Sequence, residues 1–87
     1  MIQIKVLGPG CDNCKRVEQI ASQVVALLSV EAHVEKVTDR AEFARYHLLG
    51  TPGLVINEQL VSAGRIPSQA EVTTWIVNAL ERETPRA

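Results

Sequence analysis

Between Ile2 and Val37 the apolar residues change their spacing twice, and that alternation leaves few folds open to the chain. Ile2, Ile4 and Val6 alternate with Gln3 and Lys5, and Leu7 extends the run. That is the period of a strand. Gly8-Pro9-Gly10 interrupts it, as a run of backbone breakers does. From Asp12 a helix is expected. Val17, Ile20, Ala21, Val24, Leu27 and Leu28 recur at three and four residues and make one apolar stripe, while Lys15, Arg16, Glu18, Gln19 and Gln23 fall on the other side. Ala32 to Val37 reads as a second strand. Two strands joined by a helix in this way form a right-handed parallel unit.

The rest of the chain has to complete that sheet. Asp39 and Glu42 stand at the spacing of a capping box, which predicts a short helix with Phe43, Ala44, His47 and Leu48 inward and Gly50 as its left-handed stop. Gly53 to Asn57 and Glu58 to Ala63 read as two strands, turning at Asn57-Glu58 because asparagine accepts positive φ. Ser68 and Glu71 repeat the capping spacing, and Val72, Trp75, Ile76, Ala79 and Leu80 make a final helical stripe. Trp75 is expected in the core, Tyr46 partly exposed, His33 solvated on its strand and His47 partly buried on its helix face, neither histidine with a catalytic role. The order is β-α-β-α-β-β-α. The expected fold class is α/β: one mixed four-stranded sheet flanked by helices, in a single domain over residues 1–82 with a flexible polar tail at 83–87.

Charge and hydropathy exclude whole classes of function. The 87 residues carry a net charge of -1, with no basic block, so the electrostatic footprint of a nucleic-acid binder is missing. The apolar stretch near Val24 to Val30 is broken by Ser29 and is too short to span a bilayer. The N-terminus reads as the start of the fold rather than a signal peptide. A cytoplasmic location is the expectation, and there thiols are mostly kept reduced.

That compartment matters because the chain's two cysteines, Cys11 and Cys14, stand three apart in GPGCDNC. As a staple, a disulfide closing so small a loop would contribute only ~2 kcal/mol in the chain-entropy account. As a redox pair, the two would share one face of a helix N-terminus, near enough for a disulfide to close. Cys11 would meet the unpaired N–H groups and positive end of the helix, which favour a thiolate. It would be the nucleophile, with Cys14 resolving. Asp12 would raise the Cys11 pKa, and Lys15 and Arg16 would partly offset it. Zinc normally wants four ligands, and His33 and His47 are remote in sequence, so no single-chain metal site is assigned. A soft ion such as Cu(I) on two thiolates stays open.

LLGTPGLVIN, residues 48–57, adds a second feature. Pro52 stands where the chain must turn from a helix end into an antiparallel strand, a place where cis X-Pro bonds occur. Cys11-Asp12-Asn13-Cys14 after the first strand, Thr51-Pro52 before the third and Gly64 before the last helix resemble the thioredoxin superfamily, in particular its small thioredoxin- and glutaredoxin-like redox-active disulfide proteins. The resemblance spans Met1 to Arg82. It implies a minimal thioredoxin-like fold and a thiol–disulfide oxidoreductase, with Pro52 cis beside the cysteine pair. Thr51 would offer its backbone to an extended substrate, and Gly64 would keep the groove open. It implies a protein disulfide as substrate, a dithiol reductase as partner, a monomer, and no bound cofactor. In place of thioredoxin's Trp-Cys-Gly-Pro-Cys this chain has Gly10 and an Asp-Asn centre, so the redox potential does not carry over. Where glutaredoxins place acidic residues after the glycine, Arg65-Ile66-Pro67-Ser68 stands here. The rivals are the soft-metal carrier or sensor and a binding module that keeps the fold without turnover.

Overall fold

The computed structural model describes residues 1–83. Along them run β1 (Ile2–Leu7), α1 (Asp12–Leu28), β2 (Ala32–Val37), α2 (Arg40–Arg45), β3 (Gly53–Ile56), β4 (Gln59–Ala63) and α3 (Gln69–Glu83). The strands form one sheet in the order β2-β1-β3-β4. β1 and β2 are parallel, with Ile4 opposite Val34; β3 is antiparallel to β1 and to β4. This is the mixed four-stranded α/β sheet expected from the order of elements.

Strand alternation divides the apolar residues between two faces. Ile2, Ile4 and Val6 of β1 join Leu54 and Ile56 of β3 under α1 and α3, which contribute Val17, Ala21, Val24, Val72, Ile76 and Ala79. Each of these isoleucines, fully buried, contributes about 1.5–3 kcal/mol. The opposite face is smaller: Leu7, Val55 and Tyr46, flanked by Phe43, Leu48, Val37 and Leu60. α2 covers it.

Several side chains depart from the sequence expectation. On α1 the buried track is Cys14, Val17, Ala21 and Val24; Leu28 continues its three-four spacing, and Leu27 turns out to solvent at 74% exposure. Trp75 is only half-buried, against the edge of the main core. α2 ends sooner than expected. Its C-cap is Tyr46, and His47, not Gly50, adopts the left-handed conformation (φ 56). Ala44 and His47 are therefore exposed, and Tyr46 takes the inward place. Glu83, expected as the first residue of the tail, belongs to α3; the rest of the expected tail, residues 84–87, lies outside the described residues.

A reason for the Tyr46 reversal lies in its hydroxyl. It accepts from Lys5 Nζ at 2.9 Å and donates to Glu58 Oε2 at 2.5 Å. Arg45 reaches the same carboxylate oxygen at 3.1 Å and Glu42 at 3.2 Å. The network ties β1, α2 and the β3–β4 turn together. The turn itself has two successive left-handed residues, Asn57 (φ 48) and Glu58 (φ 69). An L-residue other than asparagine or aspartate rarely sits there, but here the conformation aims the Glu58 carboxylate at Tyr46, Lys5 and Arg45.

α3 starts with a complete capping box. Glu71 N–H donates to Ser68 Oγ at 3.1 Å, and Ser68 N–H donates to Glu71 Oε1 at 3.0 Å. Arg65 grips both Glu71 oxygens, at 2.9 and 2.7 Å. The Arg65 guanidinium first, and the Ser68 N–H second, lower the Glu71 pKa to about 2. Two outcomes follow for denaturant unfolding. Ser68→Ala should cost about 1 kcal/mol, the usual loss for a helix cap. Because the folded pKa lies below the ordinary carboxylate value of about 4.3, the stabilisation by ionised Glu71 is present above that value and is lost as pH falls toward about 2. The stability gap between the wild type and Glu71→Gln should therefore close on acidification.

Candidate active site

The site is assembled where β1 ends. Gly8-Pro9-Gly10 leads out of the strand, with Gly10 in the left-handed region (φ 91), and the chain enters α1 through Cys11 as its N-cap. Cys11 is extended (φ -71, ψ 171), and its carbonyl accepts the first helical bond, from Lys15 N–H at 3.1 Å. Cys14 sits one turn on. The helix stripe that buries Val17 and Ala21 also buries Cys14, at 4% exposure, while Cys11 faces solvent. Both are free thiols, with sulfurs 2.9 Å apart.

Their environments push the two thiols in opposite directions. Cys11 is lowered, first by the hydrogen bond from the Cys14 thiol and then by the N–H groups of Cys14 and Asn13. No capping hydrogen bond to the Cys11 side chain is formed; those N–H groups act as dipoles at the positive end of the helix. Cys14 is raised, first by burial and then by its neighbour Cys11. An exposed thiol shifted toward thiolate thus sits beside a buried thiol that keeps its proton. Asp12 and Lys15 are both exposed beside the pair.

The second half of the site comes from the segment before β3. The Thr51–Pro52 peptide bond is cis, and Pro52 is buried. The Pro52 carbonyl accepts from Gly64 N–H at 2.9 Å, and Gly64 has φ 74. Gly50 packs on Gly64: a Cβ at Gly50 would stand 3.5 Å from Gly64 Cα. Thr51 is exposed, and among the described residues its N–H and C=O enter no backbone hydrogen bond. Gly8 links the two halves, because a Cβ built on it would overlap Cys14 Sγ and come within 3.8 Å of Thr51 Cβ. Cys11, Cys14, Thr51, Pro52 and Gly64 therefore belong to one end of the sheet. Beside them runs a groove lined by Pro9, Arg40, Phe43, Ala44, Leu48 and Thr51. Gly8 was not singled out from sequence. A glycine three residues before the first cysteine is the only signal it leaves, and that signal does not separate a turn from a close approach.

A family model described as a thioredoxin domain matches residues 2–77. This chain belongs to the thioredoxin family. Two curated relatives agree. A thioredoxin from Methanothermobacter thermautotrophicus is 32% identical over 72 residues, covering 83% of this chain and 94% of its own. One from Methanocaldococcus jannaschii is 32% identical over 81 residues, 93% of each chain. Among solved structures, the germline-specific thioredoxin Deadhead from Drosophila melanogaster superposes with a TM-score of 0.64 at 16% identity, covering 88% of this chain and 79% of that one. A mutant thioredoxin from Halobacterium salinarum gives 0.55 at 19%, covering 99% and 77%. At those identities the solved structures speak for the thioredoxin fold alone.

The two opposed shifts give a direct test. Replacing Cys14 with alanine removes the largest influence that lowers Cys11, so the Cys11 pKa should rise toward that of a free cysteine, about 8.5. Thiolate absorbance in the ultraviolet, followed against pH in wild type and variant, reads the change.

Proposed function

We propose that this chain is a thiol–disulfide oxidoreductase that exchanges its Cys11–Cys14 dithiol with disulfides in proteins. The observation that carries the reading is the pairing of an exposed, lowered Cys11 with a buried, raised Cys14 at 2.9 Å. The Cys11 thiolate attacks one sulfur of the substrate disulfide; that bond breaks, one substrate sulfur leaves as thiolate and takes up a proton, and Cys11 is joined to the other. The attack also removes the negative charge at Cys11 that had helped hold the proton on Cys14. Cys14 then gives up its proton more easily, attacks Cys11 Sγ, and expels the second substrate sulfur as a thiol. The products are the Cys11–Cys14 disulfide and a substrate dithiol. An external dithiol reductase returns the pair to the reduced state, and no bound cofactor is needed.

Thr51, Pro52 and Gly64 make the substrate groove. The free N–H and C=O of Thr51 suit an extended segment that docks by strand addition, giving affinity through the main chain. Leu49, 99% exposed, and the apolar wall of Phe43 and Leu48 would meet substrate side chains next to the disulfide. Asp12 and Lys15 would apply opposing charges to Cys11, as an adjustment to the larger effects of the Cys14 thiol and the helix N–H groups. The working unit in this reading is a monomer in the cytoplasm, where thiols are mostly kept reduced. The soft-metal alternative has only the two thiols to draw on, since no cluster of three His, Cys, Asp or Glu side chains gathers among the described residues.

Cys11→Ser should abolish reduction of a protein disulfide, and Cys14→Ser should accumulate a mixed disulfide with the substrate, seen by non-reducing electrophoresis and mass. A Cys14→Ser protein whose Cys11 stays reactive yet traps no substrate would contradict the assigned roles.

A further inference from the structure

Gly8 and Gly10 flank Pro9 but answer different demands. Gly10 has φ 91 and open space where a Cβ would go; Gly8 has no positive φ, yet a Cβ there would overlap Cys14 Sγ and stand 3.4 Å from Cys14 Cβ. Gly10 is a glycine for its backbone, and Gly8 is a glycine for its volume. Gly8 is also fixed in place: it is buried, and its N–H donates to the Val37 carbonyl at 3.0 Å. It sits at the end of a strand paired on both sides, so its Cα cannot readily yield.

We propose that Gly8 is a positioning residue for the resolving cysteine, leaving on the end of β1 the space that holds the Cys14 sulfur within reach of Cys11. Any larger residue leaves Cys14 two courses. Its side chain can rotate to another staggered position, which carries the sulfur out of line with Cys11, or the first turn of α1 can shift away from β1. Either course obstructs the second half of the exchange, in which the Cys11–substrate bond breaks as the Cys11–Cys14 bond forms. The first half needs only the Cys11 thiolate, whose atoms are not among those nearest the added methyl; a displaced Cys14 thiol no longer hydrogen-bonds to it, and that loss acts only where Cys11 is protonated, not where it is already ionised. The inference rests on the exchange reading above and adds a residue that does no chemistry itself.

Gly8→Ala separates the two halves when the reduced protein reacts with dithiobis-nitrobenzoate, an aromatic disulfide that releases one coloured thiolate on attack by Cys11 and a second on resolution by Cys14. The wild type should release both. At a pH high enough to ionise Cys11 in both proteins, Gly8→Ala should release the first at about the wild-type rate and the second about tenfold more slowly or worse, the scale expected for forcing a group into a packed site, with the protein–nitrothiobenzoate adduct visible by mass. Unchanged release of both, or equal slowing of both, overturns the proposal. Failure of the wild type itself to release the second equivalent would instead count against the exchange reading.

Stability gives an independent arm. In a Cys14→Ala background the colliding sulfur is gone, so Gly8→Ala should lower the melting temperature much less there than in the wild type. An equal loss in both backgrounds overturns the proposal. If Gly8→Ala alone does not fold, a folded double variant supports it and an unfolded one overturns it.

Discussion

The Cys14 sulfur has to fit into a space bounded by the end of β1 and the segment before β3 while remaining within bonding reach of Cys11. Much of the architecture meets that demand. The parallel β1–β2 pair fixes Gly8 through Val37, and the α1 stripe that buries Val17, Ala21 and Val24 rotates Cys14 inward. The antiparallel hairpin brings Pro52 and Gly64 to the same end of the sheet. A disulfide-forming pair needs one sulfur accessible and one protected. Here a single helix supplies both, because its N-cap projects to solvent and its first turn faces the sheet.

The opposite face is held differently. α2 has no buried residue within its own span, so apolar packing alone fastens it weakly. Phe43 within the helix and Leu48 beyond it pack half-buried against Leu7, Tyr46 and Val55, and the hydroxyl of Tyr46, the C-cap, locks it to Lys5 and Glu58. These partners are coupled in charge as well as in space. Tyr46, and after it the Glu58 carboxylate, raise Lys5, while Tyr46 and then Lys5 lower Glu58. Ionised Glu58 with charged Lys5 is thus the favoured state around neutral pH. The left-handed φ at Glu58 is the local cost of that arrangement, offset by three hydrogen-bond partners on one carboxylate. The segment from His47 to Pro52 runs directly from this anchor to the groove beside the cysteine pair.

Features written in local chemistry were legible in the sequence. Alternation in β1, the three-four stripe of α1, the Asn57-Glu58 turn and the Ser68–Glu71 capping box each depend on residues a few positions apart, and each is found in the structure. The cysteine pair was legible for the same reason. What escaped depends on partners far along the chain. Nothing within α2 says that Tyr46 turns inward, because Lys5 and Glu58 draw it there from 41 and 12 residues away. Once it does, His47 must take the left-handed cap that Gly50 could have filled. Leu27 looked like stripe because it is apolar at an allowed spacing, yet the sheet meets α1 along the Cys14 track. A glycine, finally, does not announce in sequence whether it serves conformation or clearance, and Gly10 and Gly8 illustrate one of each.

If Cys11 and Cys14 are a reversible redox couple, the pair has a redox equilibrium that can be measured. The protein would be equilibrated in thiol–disulfide buffers of defined ratio, its thiols trapped by alkylation, and Cys11 and Cys14 read by mass. The expected result is one reversible two-electron transition in which both cysteines change together, within the span of known exchange catalysts, about −180 to −270 mV. A pair that never closes, or that closes only irreversibly, would contradict it.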